Sequence, residues 1–193
     1  MARIAPAPPE EYVPLFGENA QLRTQIYAQS PVIAAKFVEF GQTLRDERRL
    51  SARLLELVRL RVAFHNQCRS CMAVRYTYGI EEGLTEGLVC SLEQPEEADD
   101  LTDAERAAIA YADLMATNHH RVDDETFARL REHFDDGEIM ELCFHVAFYV
   151  GFGRMAMSLD MTEDLPDAYR EEGTVAPWRQ DEVVEIGSWS SGH

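Results

Sequence analysis

Two cysteines separated by two residues are the side chains of this sequence best suited to chemistry. Cys68 and Cys71 stand between Phe64 and Arg75, with His65 just before them. The thiolate form of cysteine attacks peroxides and disulfides and also binds metals. A pair at this spacing therefore indicates redox chemistry or metal binding, and buried, inert thiols are the third possibility.

The predicted secondary structure around the pair favours reactive thiols. A helix is predicted to begin near Cys68 and to run to Gly79. On that helix Cys68, Cys71 and Arg75 would occupy positions i, i+3 and i+7 and would project from one face. The positive end of the helix dipole, together with Arg69 and Arg75, would favour thiolate over thiol.

The two cysteines could either form a disulfide with each other or bind zinc. Helical Cβ atoms at i and i+3 lie ~5–6 Å apart, whereas a disulfide prefers ~3.5–4.5 Å. A bridge would therefore distort the first turn and be reducible rather than permanent. For zinc, His65, Cys68 and Cys71 supply three ligands, with Cys90 or Cys143 as a possible fourth. The sequence has no second Cys-x-x-Cys pair, so we favour redox chemistry and expect no metal and no cofactor.

Titratable residues inside apolar segments are the other candidates. Glu56 lies in an almost wholly apolar segment, three residues before Arg59, with which it can pair on one helix face. Such a glutamate is either part of a structural ion pair or a group that handles protons. His65 and His145 also lie in apolar segments, where a histidine is either a hydrogen-bonded structural residue or a general base.

Composition and charge narrow the function classes. The chain of 193 residues has a formal net charge of −17, which argues against nucleic acid or an anionic membrane as a partner. No window reaches the ~18 apolar residues of a membrane span, and the N-terminus lacks the apolar run of a secretory signal. Four cysteines are too few for a disulfide-stapled secreted scaffold, so we expect a cytoplasmic protein.

The charge is distributed unevenly along the chain. Residues 161–193 contain eight acidic residues and two arginines. Residues 45–75 contain only three acidic residues and eight arginines, namely Arg45, Arg48, Arg49, Arg53, Arg59, Arg61, Arg69 and Arg75. Either these arginines lie on solvent-exposed helix faces, or they surround the cysteines with positive charge.

The hydrophobic pattern predicts an all-α fold. Helix starts are predicted at Ser30, Ser51, Thr102 and Asp123, because each is a capping residue before a helical apolar pattern. The apolar run Ile139–Leu159 is interrupted by polar residues and is typical of the buried central helix of a bundle. We find no sustained period-two alternation of the kind that strands require.

Three segments are expected along the chain. Residues 1–17 are rich in proline and are predicted to form an extended arm, and residues 18–160 are predicted to form one helical domain. Residues 161–193 lose periodicity and form an acidic tail. Trp178 and Trp189 in this tail are expected to dock onto this subunit or a neighbour, unless the tail is simply mobile.

The motifs together resemble a known family, over roughly residues 50–160. The chain is similar to the AhpD-like alkylhydroperoxidase branch of the carboxymuconolactone decarboxylase family. The residues that carry the resemblance are Glu56, the motif Cys68-Arg69-Ser70-Cys71 twelve residues later, Arg75, Gly79, Leu101-Thr102-Asp103-Ala104-Glu105-Arg106-Ala107, and the helix from Phe148-Tyr149 to Arg154.

The resemblance implies a fold, an activity and partners. The fold would be an all-α bundle that assembles into a homo-oligomer, either a dimer, a trimer or a hexamer. The activity would be the reduction of a small hydroperoxide through the cysteine pair, which a dithiol reductant would then restore. Cys71 would match the cysteine that lies deeper in the proton network, Cys68 the more exposed partner that meets the reductant, and Glu56 the family's glutamate.

One residue departs from the family pattern. The peroxidase pattern has histidine four residues after the second cysteine, and this chain has Arg75 there. A guanidinium stays protonated, so it can stabilise a thiolate but cannot accept its proton. We therefore expect the proton to go to Glu56 alone, or to His65 or His145, unless this chain is a poor peroxidase.

These observations lead to one principal hypothesis and two alternatives. The principal hypothesis is a thiol-dependent peroxidase whose thiolate becomes a sulfenic acid and then a disulfide. The first alternative is a carboxymuconolactone-decarboxylase-like enzyme whose arginines bind a small carboxylate or lactone. The second alternative is a non-enzymatic oligomer with a redox-sensitive or zinc-bound hairpin.

Overall fold

The computed structural model describes residues 1–187, and helices dominate this range. The α-helices are α1 (Pro9–Phe16), α2 (Leu22–Tyr27), α3 (Pro31–Asp46), α4 (Ala52–His65), α5 (Arg69–Ala73), α6 (Thr77–Glu81), α7 (Glu86–Ser91), α8 (Asp103–Thr117), α9 (Asp124–Arg131) and α10 (Asp136–Leu159). Two short strands, β1 (Val74–Tyr76) and β2 (Val184–Ile186), form a parallel pair. The prediction of an all-α fold is confirmed.

Local capping chemistry decides where the main helices begin. The hydroxyl of Ser51 accepts the backbone N–H of Leu54 at the start of α4. Reciprocal capping boxes open three more helices, at Thr102 for α8, Asp123 for α9 and Asp135 for α10. Each cap satisfies backbone N–H groups that a helix N-terminus otherwise leaves unpaired. At α3 the start is also as predicted, but proline at the first helical position defines it, without a side-chain cap.

The core is built around α4, which packs against α8 and α10. Leu57, Val58, Leu60 and Val62 of α4 are all fully buried, as its nearly continuous apolar sequence predicts.

The prediction that α10 is the buried central helix is wrong in this chain. Its inner face packs in the core, but its outer face exposes an apolar stripe that no other part of residues 1–187 covers; the exposed residues include Met140, Phe144, Met155 and Met157.

By length and composition alone, α10 could also cross a membrane. Its polar residues and its packing argue against that role. Glu141, His145 and Arg154 interrupt the apolar run, and the helix lies against α4 and α8. The inner face of α10 is therefore part of the core of the helical bundle, and only its outer face is exposed.

Two predicted boundaries differ from the structure. Residues 1–17 are not wholly extended, because α1 forms there with Pro9 at its first position and Gly17 (φ 83°) after its last. The helix predicted from Cys68 to Gly79 is interrupted at Val74, where the chain becomes β1. Pairing with β2 overrides the helical pattern there, since tertiary contacts outweigh local propensity.

The tail packs on its own chain as far as it is described. Trp178 is 6% exposed, and its ring centre lies 4.5 Å from that of Phe64. The side chain of Gln67 also holds Val175, accepting its backbone N–H at 3.0 Å and donating to its carbonyl at 3.1 Å. Docking is thus observed for Trp178, while Trp189 lies outside the described residues.

Candidate functional site

The two cysteines lie at the turn between α4 and α5 and are bonded to each other. After α4 ends at His65, Gln67 adopts a left-handed backbone conformation (φ 49°) that reverses the chain. Cys68 is the N-cap residue of α5, and its N–H donates to the Ala63 carbonyl at 3.0 Å. The disulfide joins Cys68 to Cys71, with their Cα atoms 5.2 Å apart. The chain therefore brings both sulfurs together without a third segment.

The two sulfurs differ in access. Cys68 is fully buried and packs with Ile26, Ala156 and Met161. Cys71 is half-buried and lines a pocket. The expectation that Cys68 is the more exposed cysteine is therefore wrong. The N-cap position turns Cys68 into the core, whereas Cys71 lies further along the first turn of α5, at the pocket wall.

The pocket encloses about 130 Å³ between α2, α3, α4 and α10. Most of its wall is apolar and comes from Phe37, Leu44, Leu55, Phe148 and Phe152. Three of these rings pack on one another: the centre of Phe37 lies 5.3 Å from that of Phe148 and 4.7 Å from that of Phe152. A largely apolar wall with a few polar groups is typical of a small-molecule site.

A buried ion pair supports the turn between α4 and α5 that carries the two cysteines. Arg59 forms a two-point bond with Glu56, with distances of 2.7 and 2.8 Å. The same guanidinium donates to the carbonyls of Cys71 and Val74, each at 2.7 Å. Both Glu56 oxygens bind Arg59, and one also accepts the Tyr76 N–H at 3.3 Å. This glutamate therefore holds the arginine that positions Cys71, and neither oxygen is left over for a substrate.

Partly buried phenols line the pocket beside this ion pair. Burial raises the pKa of Tyr78 and of Tyr149 far above the ordinary value, and the Glu56 carboxylate raises both further. Burial likewise raises the pKa of Tyr27. All three tyrosines line the pocket. Their hydroxyls therefore stay protonated at neutral pH and can donate hydrogen bonds to a bound oxygen atom.

His145 is the one predicted histidine that lines the pocket. Its Nδ1 lies 3.0 Å from the Tyr149 hydroxyl, and its buried Nε2 has no hydrogen-bond partner within residues 1–187. Glu141 is the nearest carboxylate, 3.9 Å from Nε2. Burial lowers the pKa of His145 to about 4, while the Leu44 backbone opposes that shift. The imidazole is therefore neutral at pH 7 and can form a further hydrogen bond inside the pocket.

His65 and Arg75 lie outside the pocket. His65 Nε2 is 2.7 Å from the Asp113 carboxylate, which it shares with Arg61. Arg75 is 1% exposed, and its guanidinium binds Glu86 at 2.8 Å and the Pro177 carbonyl at 2.6 Å. The prediction that Arg75 projects from the same helix face as the cysteines is wrong, because β1 replaces the helix before that residue.

The cluster of arginines does not form a positive surface around the sulfurs. Acidic residues distant in sequence neutralise most of it; the pairs are Arg48–Glu82, Arg49–Asp135, Arg53–Glu105, Arg61–Asp113 and Arg75–Glu86. Arg69, which stands between the cysteines, donates instead to the tail carbonyls of Tyr169, Glu171 and Gly173. These residues therefore hold the fold and the tail together.

The ligand set proposed for zinc does not converge. Across residues 1–187, no group of three or more histidine, cysteine or acidic side chains is arranged to hold a metal ion. His65 faces Asp113, and Cys143 accepts a hydrogen bond from Tyr111 at 3.2 Å. The residues named for zinc therefore do not form one ligand set within the described part of the chain.

Several pocket residues were not predicted from the sequence. Arg23 and Tyr27 come from α2, and Tyr76 and Tyr78 from the segment that follows the cysteines. Their spacing in the sequence is that of residues that simply pack one helix against another. No local pattern therefore distinguishes them from core residues. The Tyr-x-Tyr repeat close to the cysteines was the one available signal.

Comparisons with known sequences agree with the family resemblance that the cysteine motif indicated. A sequence model of the carboxymuconolactone decarboxylase family matches residues 31–114. An uncharacterised protein of Mycobacterium tuberculosis is 30% identical over 113 residues, which are 58% of this chain but only 40% of that protein. The uncharacterised protein YdfG of Bacillus subtilis is 26% identical over 105 residues, or 54% of this chain and 71% of YdfG. The chain thus spans less than half the length of its mycobacterial relative.

Solved structures share the fold. One is a protein of unknown function from Agrobacterium tumefaciens, provisionally named an antioxidant defence protein AhpD; it is 23% identical, has a TM-score of 0.61, and the match covers 72% of this chain and 95% of that one. A peroxidase-related protein with an alkylhydroperoxidase AhpD core, from Ralstonia eutropha, is 22% identical with a TM-score of 0.63, covering 80% and 81% of the two chains. Residues 31–114 of this chain thus match the carboxymuconolactone decarboxylase family model, which supports the resemblance seen in the motifs, and the helical domain has the fold of these AhpD-like structures.

Proposed function

We propose that this protein is a thiol-dependent peroxidase that reduces small hydroperoxides through Cys68 and Cys71. The observation that carries the proposal is a bonded cysteine pair with one sulfur fully buried and the other on the wall of an apolar pocket. The fold is shared with a peroxidase-related protein, and residues 31–114 match the carboxymuconolactone decarboxylase family model; both support the same chemistry.

The difference in access assigns a role to each sulfur. In the reduced protein, the Cys71 thiolate attacks the distal oxygen of the hydroperoxide, which breaks the O–O bond and releases an alcohol after protonation. Cys71 becomes a sulfenic acid. The Cys68 thiol then condenses with it, so that the S–S bond forms and water leaves. The family resemblance gave the contact with the reductant to Cys68, whereas this assignment gives it to Cys71.

Proton transfer is assigned to the pocket side of the site. The Cys71 thiol releases its proton to solvent in the pocket, because the low pKa of His145 makes that imidazole a weak base, and the phenols beside it can donate to the leaving alkoxide. Glu56 is assigned a positioning role, because Arg59 occupies both of its oxygens.

An external dithiol completes the cycle. One of its thiolates attacks Cys71, the accessible sulfur, and releases the Cys68 thiolate; its second thiol then resolves the mixed disulfide. A cytoplasmic location is part of this proposal, since that compartment keeps dithiols reduced.

The test is hydroperoxide consumption with dithiothreitol as reductant. Cys71→Ser should reduce consumption to the uncatalysed rate. Cys68→Ser should still form a sulfenic acid at Cys71, which dimedone can trap, but no internal disulfide. Cys90→Ser removes a half-buried thiol that does not line the pocket, so it serves as the control. Equal rates for the wild type and both site variants would overturn the proposal.

The family match also favours a second candidate, a decarboxylase-like enzyme whose reaction does not use the thiols. The two candidates separate on thiol dependence. Reduction followed by alkylation with iodoacetamide should abolish the peroxidase reaction, whereas a decarboxylase-like activity that does not need Cys71 would survive it unless the added group blocks the pocket. Cys71→Ser avoids that obstruction and serves as the second measurement.

The assembly we propose is a homo-oligomer formed through the outer stripe of α10. Met140, Phe144 and Met155 are exposed on this helix, and Phe40 of α3 is exposed near it. A second copy can bury the same stripe in a two-fold arrangement; the family resemblance itself implies a dimer, a trimer or a hexamer. Light scattering should give a multimer for the wild type and a smaller species for Phe144→Glu; a monomeric wild type would contradict this assembly.

A further inference from the structure

One arginine in the pocket has no acidic partner. Three of the four arginines that line it are neutralised, since Arg45 pairs with Asp46, Arg48 with Glu82 and Arg59 with Glu56. Arg23 of α2 forms no ion pair with any residue in the range 1–187. Its only hydrogen bond in that range is a long one, 3.5 Å to the Tyr76 hydroxyl.

The guanidinium of Arg23 is also incompletely hydrogen-bonded. Its Nε is buried and has no acceptor within the described part of the chain. A buried donor without an acceptor is costly, and a positive charge beside apolar groups adds to that cost. An anion in the pocket would remove both penalties. A carboxylate fits best, because its two oxygens match the two parallel N–H groups of a guanidinium.

The rest of the pocket indicates the size and the apolar character of such a ligand. Its volume of about 130 Å³ is close to that of a cavity known to accept benzene, ~150 Å³. The rings of Phe37, Phe148 and Phe152 form one continuous apolar wall. Together these features favour a single aromatic ring, or an aliphatic group of similar size.

We propose that the pocket binds a carboxylic acid with an apolar body of about one ring, its carboxylate on Arg23 and its body against the phenylalanines. Resting on the peroxidase function proposed above, the natural substrate would then be an acid of this kind that carries a hydroperoxide group within reach of Cys71. Binding of the acid itself needs no thiol chemistry. The two proposals can therefore fail separately.

The experiment measures binding of two probes that differ only in charge. 3-Phenylpropionate and its uncharged amide are titrated calorimetrically into the oxidised full-length protein at pH 7. A charge-assisted bond of ~1.5–3 kcal/mol corresponds to an affinity ratio of roughly 10 to 100 in favour of the acid. Arg23→Gln should bring this ratio close to one. Arg121→Gln makes the same change of charge at an exposed residue outside the pocket and should leave the ratio unchanged.

The outcomes separate clearly. Equal binding of acid and amide to the wild type would overturn the inference, as would an unchanged ratio in Arg23→Gln. Arg23→Lys keeps the charge but loses the two-pronged geometry and should give an intermediate ratio, which supplies a second test if Arg23→Gln folds poorly. Hydroperoxide consumption without acid binding would refute this inference alone. Acid binding without consumption would refute the peroxidase proposal and leave the inference supported.

Discussion

Replacing Arg59 by methionine should destabilise the protein by about 3–5 kcal/mol, the usual cost of removing one partner of a buried ion pair. Glu56 is fully buried, and Arg59 supplies two of its hydrogen bonds, at 2.7 and 2.8 Å. After the substitution the carboxylate would keep only the Tyr76 N–H, at 3.3 Å. The carbonyls of Cys71 and Val74 would lose a donor as well, so the cysteine turn should loosen together with the core.

The assay for this prediction is urea unfolding of the oxidised protein, with the free energy of unfolding extrapolated to water. Lys36→Met is the matched control, because Lys36 and Glu39 have the same i, i+3 spacing at 75% and 64% exposure. An exposed pair of this kind contributes only ~0–1 kcal/mol. The double variant Glu56→Met/Arg59→Met should be more stable than Arg59→Met, since it leaves no buried charge unpaired. An Arg59→Met cost as small as that of Lys36→Met would refute the reasoning.

Three further predictions concern packing and pH. Gly79→Ala would place its Cβ 2.5 Å from Glu56 Cγ, so it should cost about 1–3 kcal/mol in urea unfolding. Trp178→Ala removes a side chain that is 6% exposed and should cost about 3–5 kcal/mol if the tail unfolds together with the domain. For His145, burial depresses the folded pKa to about 4 from 6.5, so the unfolded chain takes up the proton first as the pH falls. Wild-type stability should therefore fall between pH 6.5 and 4, by about 3 kcal/mol from this residue, and His145→Gln should lack that contribution.

Each of these predictions has a distinct contrary result. Gly87→Ala is the control for Gly79→Ala, because the nearest atom to its Cβ would be 3.7 Å away, and the two variants should not be equally stable. A Trp178→Ala variant with the wild-type urea midpoint would show that the tail does not unfold together with the domain. An identical loss of stability with falling pH in the wild type and in His145→Gln would show that the histidine is not buried in its neutral form.

Much of the fold follows from local rules, which is why it could be predicted. A capping residue three positions before its backbone partner acts within one turn of helix, so Ser51, Thr102 and Asp123 indicate helix starts without knowledge of the rest of the chain. The Glu56–Arg59 pair is similarly local at i, i+3.

The predictions that failed depend on contacts between segments that are far apart in the sequence. The helix expected through Arg75 gives way to β1 because β2, more than a hundred residues later, pairs with it. The buried position expected for α10 fails because burial depends on what covers a face, and nothing in residues 1–187 covers its outer stripe. Neither partner is visible in the local pattern.

The sequence by itself determined the helical class, the helix starts, the Cys68–Cys71 pair and the resemblance of the segment around it to the carboxymuconolactone decarboxylase family. Only the tertiary structure decided which sulfur meets the pocket, that Glu56 holds Arg59, and that Arg23 is the pocket arginine without an acid within the described residues. The physical reason is range: caps and i, i+3 pairs act within a turn, whereas access, burial and charge neutralisation depend on residues that only folding brings together.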